Sequence, residues 1–462
     1  MPLLDLPARV IERRFGGLAR GVEPLRIVPL GFALIIGVGT VLLMLPVART
    51  GGVGAPFMVA LFTATSATCV TGLSTVDPGS YWSGFGEAVL ISLVQIGGLG
   101  TLVVTTLLLL ALGDRLSIAT RRLAGAEQRW LNVGGVEARV RAVLLFTVSV
   151  ELVVAVALAV WWAFAYDYAP RRAAWHGVFH SISAFNNAGF GLLPDNIIGF
   201  SDDPVVLVLL CAAVILGGIG MPVVVEVRRA CQARTARASR RLSLHAVLTL
   251  GGTVILLAFG TGLIFLLERN ATLQGMPAGQ AVMNAGVHAV MLRTGGFNAI
   301  DLSKLSEAGA LASAGLMLVG GGSGGTAGGI KITTLMVLIA TVAAELRGRT
   351  DVTVRGRRLP SSVQREALAL LFLAVAAVGL GATALMALMS LPMRDALFEA
   401  VSAFGTVGLT TGVTARLTTP AQVVVIALMF IGRVGPVTLG AALALRARDR
   451  RVRYPEERVV VG

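Results

Sequence analysis

The chain has 462 residues, of which 55% are hydrophobic and only 14% are charged, and its mean hydropathy is +0.81. Soluble domains carry about 25% charged residues, so this composition excludes an ordinary soluble protein and is typical of a polytopic membrane protein. The formal net charge of +14 would also suit a nucleic-acid-binding protein, but the positions of the charges favour a different explanation.

Eight apolar runs are candidate membrane spans, because about 20 residues cross the hydrocarbon core of a bilayer. In chain order they are 27–46, 87–112, 142–165, 205–226, 246–267, 310–345, 365–391 and 421–445. A glycine-rich segment interrupts the sixth run. The first run has a basic flank like that of a signal peptide, but its length and the absence of a clear cleavage site favour a membrane span.

Most of the basic residues are arginines in five clusters, which lie before, between and after these runs. The clusters occupy 9–26, 115–141, 228–241, 347–365 and 446–458. Each cluster follows an even number of predicted spans, and cytoplasmic loops are the ones enriched in Lys and Arg. We therefore predict that both termini are cytoplasmic, that the clusters attract anionic lipid headgroups, and that no nucleic acid is bound.

Short apolar pieces of about 10 to 15 residues, too short to cross the membrane, lie between the predicted spans. Each ends in a small-residue turn: VTGL at 70–73, NAGF at 187–190, TGGF at 294–297 and TVGL at 406–409. The shared glycine recurs at intervals of roughly 110 residues, which indicates an internal repeat. We predict an all-α membrane protein of four helix–pore loop–helix units, with eight transmembrane helices and four re-entrant pore helices in a pseudo-fourfold arrangement around one pore.

The predicted boundaries follow from these repeats and from the basic clusters. The segments are an N-terminal cytoplasmic arm (1–26), repeat 1 with its linker (27–141), repeat 2 with its linker (142–243), repeat 3 with the glycine-rich segment (244–362), repeat 4 (363–445) and a basic tail (446–462).

The four turns have the chemistry of a cation site. Non-helical backbone at membrane depth occurs only where it is buried in protein or lines a cavity. Glycine permits positive φ, so that carbonyls can point at a common centre, and a ring of carbonyls can replace the hydration shell of K⁺. The short helices also direct their partly negative C-terminal ends toward that centre. The predicted cation-binding residues are Val70, Thr71, Gly72, Asn187, Ala188, Gly189, Thr294, Gly295, Gly296, Thr406, Val407 and Gly408.

Two observations limit this interpretation. The fourth turn shares three letters with the potassium filter TVGYG but lacks its aromatic residue and second glycine, which predicts fewer carbonyl layers. Alternatively, the four glycines could simply allow close helix packing. Their recurrence at matched positions, Gly72, Gly189, Gly296 and Gly408, favours the filter.

The stretch GGGSGGTAGGIK at 320–331 lacks the Gly-Lys-Ser/Thr succession of a phosphate-binding loop. Each glycine costs a helix about 1 kcal/mol relative to alanine, so we predict a break in the second helix of repeat 3 that can move. The predicted gate residues are Gly320, Gly321, Gly322, Ser323, Gly324, Gly325, Thr326, Ala327, Gly328, Gly329, Lys331 and Arg433.

Several polar side chains in apolar surroundings admit two interpretations each. Lys331 could snorkel to the cytoplasmic face, whereas Arg433 lies too deep in its span and is predicted to lie near the pore. We expect Arg293, directly before the third turn, to brace that turn from behind rather than line the pore. Asn186 and Asn187 could do either.

His176 and His180 are four residues apart, but no other ligand group is clustered with them, so a structural role is favoured over a metal site.

These motifs resemble the Trk/Ktr/HKT superfamily of cation transporters over nearly the whole chain, and most resemble the bacterial Ktr membrane subunit. The resemblance rests on the four turns and on QIGGLGTL, ILGGIGMPV, GGSGGTAGGIKITT and GRVGPVTL. It implies a homodimer in the bacterial inner membrane, with one pore per subunit and potassium as the transported ion. Gly72 is retained where sodium-selective members often carry serine. Activation by sodium stays open.

The resemblance also implies that Gly320–Gly329 forms an intramembrane gating loop below the filter and that Arg433 lies near that loop. It further implies a cytosolic ring of nucleotide-binding regulatory subunits. No Rossmann fingerprint occurs in this chain, so the nucleotide would bind the partner, and no cofactor is expected here.

The sequence offers two rivals to a filter. An alternating-access carrier would need intramembrane carboxylates for ion coupling. This chain has few of them, and Glu151 and Glu226 are expected close to span ends. A membrane-embedded enzyme would need a nucleophile–base pair or a metal constellation, and the sequence shows neither. We therefore predict that the protein is not an enzyme.

Overall fold

The computed structural model describes residues 24–113, 136–232 and 242–446, without the side chains of 24–27, 101–113, 136, 137, 139 and 436–446. Most of the predicted N-terminal arm, much of the first two linkers and nearly all of the basic tail lie outside the described residues.

The described chain is mostly helical. Besides a one-turn helix at Pro78–Tyr81 and single 3-10 turns at Pro46–Ala48, Ile198–Phe200, Leu302–Lys304 and Thr414–Arg416, its elements in chain order are α1 (Pro24–Met44), α2 (Phe57–Thr68), α3 (Gly84–Gly113), α4 (Val136–Ala165), α5 (Pro170–Phe185), α6 (Pro204–Ile219), α7 (Met221–Gln232), α8 (Leu244–Glu268), α9 (Ala278–Met291), α10 (Glu307–Met317), α11 (Ile332–Glu345), β1 (Thr353–Val354), β2 (Arg357–Arg358), α12 (Ser361–Met389), α13 (Met393–Gly405) and α14 (Thr419–Arg446).

Three helices in the described ranges are long and apolar enough to cross a membrane alone: Val140–Ala165 within α4, α8 and α12. Helices α6 and α7 together would make a fourth span, bent by 99°. The described apolar parts of α1, α3, α11 and α14 are shorter. The total of eight spans therefore stays a prediction.

The bend between α6 and α7 contradicts the prediction of one continuous span at 205–226. Gly220 has φ +96, which ends α6. Pro222 has no N–H to donate to the Gly218 carbonyl, and that oxygen instead accepts from Gly322 N at 2.8 Å. Met221 N donates to Gly324 O at 3.1 Å. The glycine-rich segment thus supplies the hydrogen bonds that a continuous helix would have made.

The second helix of the third unit is broken where the glycines predict it. It stops at Met317 and resumes at Ile332, and the chain between them contains no helix. The two ends of this segment are held together, because Gly320 N donates to Ile330 O at 2.8 Å and Ile330 N donates to Leu318 O at 3.2 Å. The segment is therefore a closed loop rather than an open linker.

The four short helices α2, α5, α9 and α13 end in the four sequence turns. Proline occupies the N-cap of α2, α9 and α13 and the first position of α5, where its missing N–H leaves no helical hydrogen bond unmade. Each short helix packs against the long helix that precedes it.

The contacts also run from each unit to the next and close a circle. Helix α3 packs on α5, α6 on α9, α10 on α13, and α14 on α2. The chain therefore returns to its first unit, with the four turns on the inside of this circle.

A small hairpin, β1 and β2, lies between α11 and α12 within the basic cluster 347–365. Val352 and Leu359 flank it and are buried with Val337 and Ala344 of α11.

Candidate functional site

The four turns have the same backbone conformation. The first residue of each turn has a left-handed φ: +56° at Val70, +62° at Asn187, +66° at Thr294 and +51° at Thr406. The glycine two positions later also has positive φ: +95° at Gly72, +71° at Gly189, +73° at Gly296 and +91° at Gly408. The repeat seen in the sequence is thus a repeat of backbone geometry.

The turns continue directly from the helix ends. The middle residue donates its N–H to the carbonyl five residues earlier in three of them: Thr71 to Ser66, Ala188 to Ser183 and Val407 to Ser402, each at 2.8 Å. This is the Schellman arrangement, in which the left-handed position usually holds glycine.

Here the left-handed position holds valine, asparagine and threonine. A strained backbone of this kind costs of order 1–3 kcal/mol and persists where the surrounding structure fixes it. The sequence shows the glycines but gave no signal for the residue two positions before each one.

The glycines approach the neighbouring turns too closely for any side chain. A Cβ at Gly72 would lie 2.1 Å from Ala188 O, and one at Gly189 would lie 2.4 Å from Gly296 Cα. A Cβ at Gly296 would lie 2.8 Å from Val407 O, and one at Gly408 would lie 2.2 Å from Thr71 O. Each turn therefore contacts the next, from the first unit round to the fourth and back to the first.

An open cavity of about 370 Å³ lies on one side of this ring. Gly72, Gly189 and Gly408 line it, together with the carboxylates of Asp77 and Asp301. Asp301 accepts hydrogen bonds from Ser303 N at 3.1 Å and Ser303 Oγ at 2.6 Å. These bonds, with Lys304 at 3.1 Å, lower the pKa of Asp301 below its usual value. A carboxylate at the mouth of a cavity attracts cations.

The glycine loop lies against the other side of the ring. Its residues from Gly320 to Ile330 are buried, apart from the half-buried Ser323 and Gly324. A Cβ at Gly328 would lie 2.0 Å from Thr406 Oγ1, and one at Gly320 would lie 3.6 Å from Thr294 Cγ2. The loop therefore contacts the left-handed residues of the turns, whereas the cavity lies on the glycine side.

Thr326 is the most connected residue of the loop. Its N–H donates to Gly217 O at 3.1 Å. Its hydroxyl lies 2.7 Å from Asn187 Oδ1 and 3.1 Å from Phe185 O. Its carbonyl accepts from Arg433. The hydrogen bond to Asn187 thus joins the predicted gate directly to the predicted filter.

Three cationic side chains donate to loop carbonyls. Arg433 is 4% exposed and binds Thr326 O and, at 3.4 Å, Gly97 O of the first unit. Lys331 Nζ donates to Ala327 O at 2.5 Å within the loop itself. Arg293, expected to brace the third turn, donates to Gly320 O of the glycine loop at 3.1 Å. All three bind carbonyls, which is how a buried cation is satisfied without a carboxylate.

A second set of glycines holds the long helices against the ends of the short ones. A Cβ at Gly97 would lie 2.0 Å from Thr68 O, and at Gly217 or Gly432 it would lie 1.8 Å from Phe185 O or Phe404 O. The next residue is Gly98 after Gly97 and Gly218 after Gly217, but Arg433 after Gly432. The arginine therefore occupies a position that is glycine in the first two units.

The asparagine side chains, for which two roles were open, both bind protein groups. Asn186 Nδ2 donates to Gln95 Oε1 at 2.7 Å and to Glu151 Oε1 at 3.1 Å. Asn187 Nδ2 points to Thr294 Oγ1 at 3.4 Å. Both side chains brace the ring.

The position expected for Glu151, near a span end, is wrong. The helix that carries it begins at Val136, so Glu151 lies at its centre, 8% exposed. Glu399 and Glu268 are also fully buried. Thr410 and Thr414 donate to Glu399, and Ser306 and Thr272 donate to Glu268. Sequence reasoning missed Glu268 and Glu399, because isolated Glu residues in apolar segments carried no motif.

His176 and His180 pack around Trp162 behind the second turn, with ring centroids at 6.1 and 5.2 Å. His180 Nδ1 lies 2.8 Å from His176 O, and Leu192 N donates to His180 Nε2 at 3.4 Å. These contacts make both rings part of the packing that holds the turn.

Comparison with known proteins agrees with this geometry. The family model described as "TrkH: Cation transport protein" matches residues 40–449. The chain belongs to the TrkH family. This is a family of cation transporters and not of enzymes. Membership agrees with the apolar helices and with the repeated short helices and turns of the described residues.

Two relatives are similar to this chain over nearly their whole length. "Ktr system potassium uptake protein B" of Bacillus subtilis (strain 168) is 37% identical over 441 residues, which cover 95% of this chain and 97% of that protein. "Potassium/sodium uptake protein NtpJ" of Enterococcus hirae is 33% identical, with 96% of this chain and 98% of that protein covered.

The fold is also that of a solved member. The crystal structure of the potassium transporter TrkH from Vibrio parahaemolyticus matches with a TM-score of 0.68, covering 91% of this chain and 84% of that chain. At 17% identity this likeness concerns the fold alone.

Proposed function

We propose that this chain conducts K⁺ across a membrane through a filter made by its four turns. The observation that carries the proposal is the fourfold backbone conformation, left-handed at the first residue and at the glycine of each turn. Each of these glycines lies so close to the neighbouring turn that an added Cβ atom would clash with it. Four turns arranged in this way can direct their carbonyls at one axis, where these oxygens replace the hydration shell of a cation.

The ion ligands would be backbone oxygens of the four turns, at residues 70–72, 187–189, 294–296 and 406–408. The relatives named above as potassium uptake and potassium/sodium uptake proteins support an alkali cation as cargo. Gly72 supports potassium over sodium, because sodium-selective members of the superfamily that this chain resembles often carry serine there. Activation by sodium is a separate property that transport assays would reveal.

The glycine loop Gly320–Gly329, with Lys331 and Arg433, is proposed as the gate. It lies against the left-handed residues of the turns, on the side opposite the cavity. Its conformation depends on hydrogen bonds to Gly217, Gly218 and Arg433, which belong to other units. Flux would therefore require these bonds to be exchanged, which suits a regulated gate.

The wider assembly is proposed from the arginine clusters and from the family likeness. The chain spans a bacterial inner membrane with both termini on its cytoplasmic side. The cavity lined by Asp77 and Asp301 faces the outer side of that membrane. The chain forms a homodimer and binds a cytosolic ring of nucleotide-binding subunits, while anionic lipids contact its arginines.

An alternating-access cation carrier is the second candidate. It is favoured by the two broken helix pairs, α6–α7 and α10–α11. Hydrogen bonds join the break in one pair to the break in the other. The buried carboxylates do not add to it, because Glu151, Glu268 and Glu399 accept from neighbouring side chains.

The test is flux into liposomes that contain the purified protein. A K⁺ gradient should drive Rb⁺ tracer uptake above that of empty liposomes, without a coupled solute, and Na⁺ should compete weakly. Uptake that requires exchange for an internal cation and saturates at low concentration would favour the carrier. No flux above empty liposomes, in vesicles shown to contain folded protein, would contradict both candidates.

A further inference from the structure

The loop and the ring meet at one short chain of side-chain hydrogen bonds. Thr326 Oγ1 lies 2.7 Å from Asn187 Oδ1, and Asn187 Nδ2 lies 3.4 Å from Thr294 Oγ1. Asn187 and Thr294 are the left-handed residues of the second and third turns. All three residues are at most 1% exposed. A residue of the loop is thus linked to two turns of the ring.

The position of Thr326 is set from outside the ring. Its N–H binds Gly217 at the end of α6, and its carbonyl binds Arg433 of α14. Its hydroxyl has one proton, and the 2.7 Å separation directs that proton to Asn187 rather than to Phe185 O at 3.1 Å. A shift of the loop therefore moves the partner of the Asn187 carboxamide.

Asn187 can transmit such a shift because its side chain and its strained backbone belong to the same residue. Its φ of +62° costs energy that the surrounding contacts must offset. Loss of the Thr326 donor would leave a buried amide oxygen without its partner and would free the carboxamide to rotate away from Thr294. The second and third turns are packed so closely that a Cβ at Gly189 would lie 2.4 Å from Gly296 Cα. The separation of these two turns would then change.

We propose that Thr326 is a positioning residue for the filter: through Asn187 and Thr294 it fixes the spacing of the second and third turns, so the conformation of the gate loop sets the preference for K⁺ over Na⁺. This rests on the proposed function and adds a coupling between gate and filter. A loop movement that keeps Thr326 in place conducts selectively. One that withdraws Thr326 conducts with less discrimination.

The test compares Thr326→Val with Thr326→Ser in liposomes, measuring the ratio of K⁺ to Na⁺ uptake. Valine keeps the size of threonine but has no hydroxyl, whereas serine keeps the hydroxyl. One net hydrogen bond corresponds to a roughly 2- to 10-fold change, so the K⁺:Na⁺ ratio should fall by that factor in Thr326→Val and recover in Thr326→Ser. The ratio does not depend on how much protein folds, which separates positioning from a loss of stability.

Thr249→Val is the matched control. Thr249 is fully buried and its methyl group faces the loop, 2.8 Å from where a Cβ at Gly322 would lie. Its hydroxyl has no hydrogen-bond partner among the described residues. The same chemical change there should leave the ion ratio as in the unaltered protein. An equal fall in both valine variants would overturn the proposal, since any altered packing of the loop would then suffice.

Asn187→Gly extends the test, because glycine accepts the left-handed backbone but removes the carboxamide. The ratio should fall as in Thr326→Val, and the double variant should fall no further than the lower single variant. This variant also decides the case if Thr326→Val does not fold. An unchanged ratio in both single variants would refute the coupling while leaving K⁺ conduction intact. An unaltered protein that shows no K⁺ preference would instead refute the proposed function.

Discussion

Serine at position 72 is the sharpest perturbation of the proposed filter. Gly72 has φ +95°, and its Cβ would lie 2.1 Å from the carbonyl oxygen of Ala188. Real Cβ atoms keep about 3.0 Å from such an oxygen, so that oxygen must move by about 1 Å. Gly72→Ser therefore displaces a carbonyl that is proposed to bind the ion.

The expected magnitude follows from the strain. A non-glycine residue at such a φ costs of order 1–3 kcal/mol, and the clash with Ala188 adds to it. Relief comes from moving the first and second turns apart, which enlarges the ring. A differential free energy of about 1–3 kcal/mol corresponds to a 5- to 150-fold change in affinity. We expect the K⁺:Na⁺ uptake ratio to fall by at least about fivefold.

The assay is competitive uptake of Rb⁺ and Na⁺ tracers in liposomes containing Gly72→Ser protein. Gly275→Ser is the matched control, because Gly275 also has a positive φ, +81°, but has nothing within 4 Å of its Cβ position. Both variants add backbone strain, and only the first alters the ring. An ion ratio in Gly72→Ser that equals the ratio in Gly275→Ser would refute the assignment of Gly72 to the filter.

Three further predictions concern the gate and the cavity. Deleting 321–329 joins chain ends that already lie together, because Ile330 N is 3.2 Å from Leu318 O. Tracer flux through the deletion variant should rise. Unchanged flux in a folded variant would contradict a gating role for the loop. Arg433→Met removes the donor to Thr326 O and should raise basal leak severalfold, whereas the exposed Arg416→Met should not; equal leak in both would count against it. Asp301→Asn should raise the K⁺ concentration for half-maximal uptake about twofold at low ionic strength, and high salt should abolish the difference. Because hydrogen bonds from Ser303 lower the pKa of Asp301, its carboxylate stays charged to a lower external pH than an ordinary aspartate does. The difference between Asp301→Asn and the unaltered protein should therefore persist through the usual titration range of aspartate and disappear only in more acidic medium, as the carboxylate protonates. A loss of the difference already at near-neutral pH would contradict this.

The sequence predicted the features that depend on residue type at fixed spacing. The glycine of each turn, the short helices before them and the break before Ile332 follow from apolar length and from glycine's lack of a side chain. The turn glycines and the short helices recur four times, and this repetition makes them easier to identify. The break before Ile332 occurs once and is marked by its own run of glycines.

The features it did not predict arise from contacts between units. Val70 and Thr406 are β-branched, and their intrinsic preferences argue against a left-handed φ. The neighbouring turns and the helix-end hydrogen bonds impose that conformation, and a single sequence does not show which turns meet. The bend at Gly220 is similar, since Gly220 and Pro222 permit it but the loop from another unit stabilises it. Pro222 was the available signal.

The residue that follows the helix-packing glycine differs between the units, and this difference has a consequence for how such a protein can be encoded. Gly98, Gly218 and Arg433 follow Gly97, Gly217 and Gly432. An assembly of four identical chains would have to repeat every substitution four times, so one arginine would become four like charges in the same buried space. Joining the units in one polypeptide removes this constraint. A single arginine can then bind a single loop. The gate can therefore lie on one side of the pore axis while the ring of four turns stays regular.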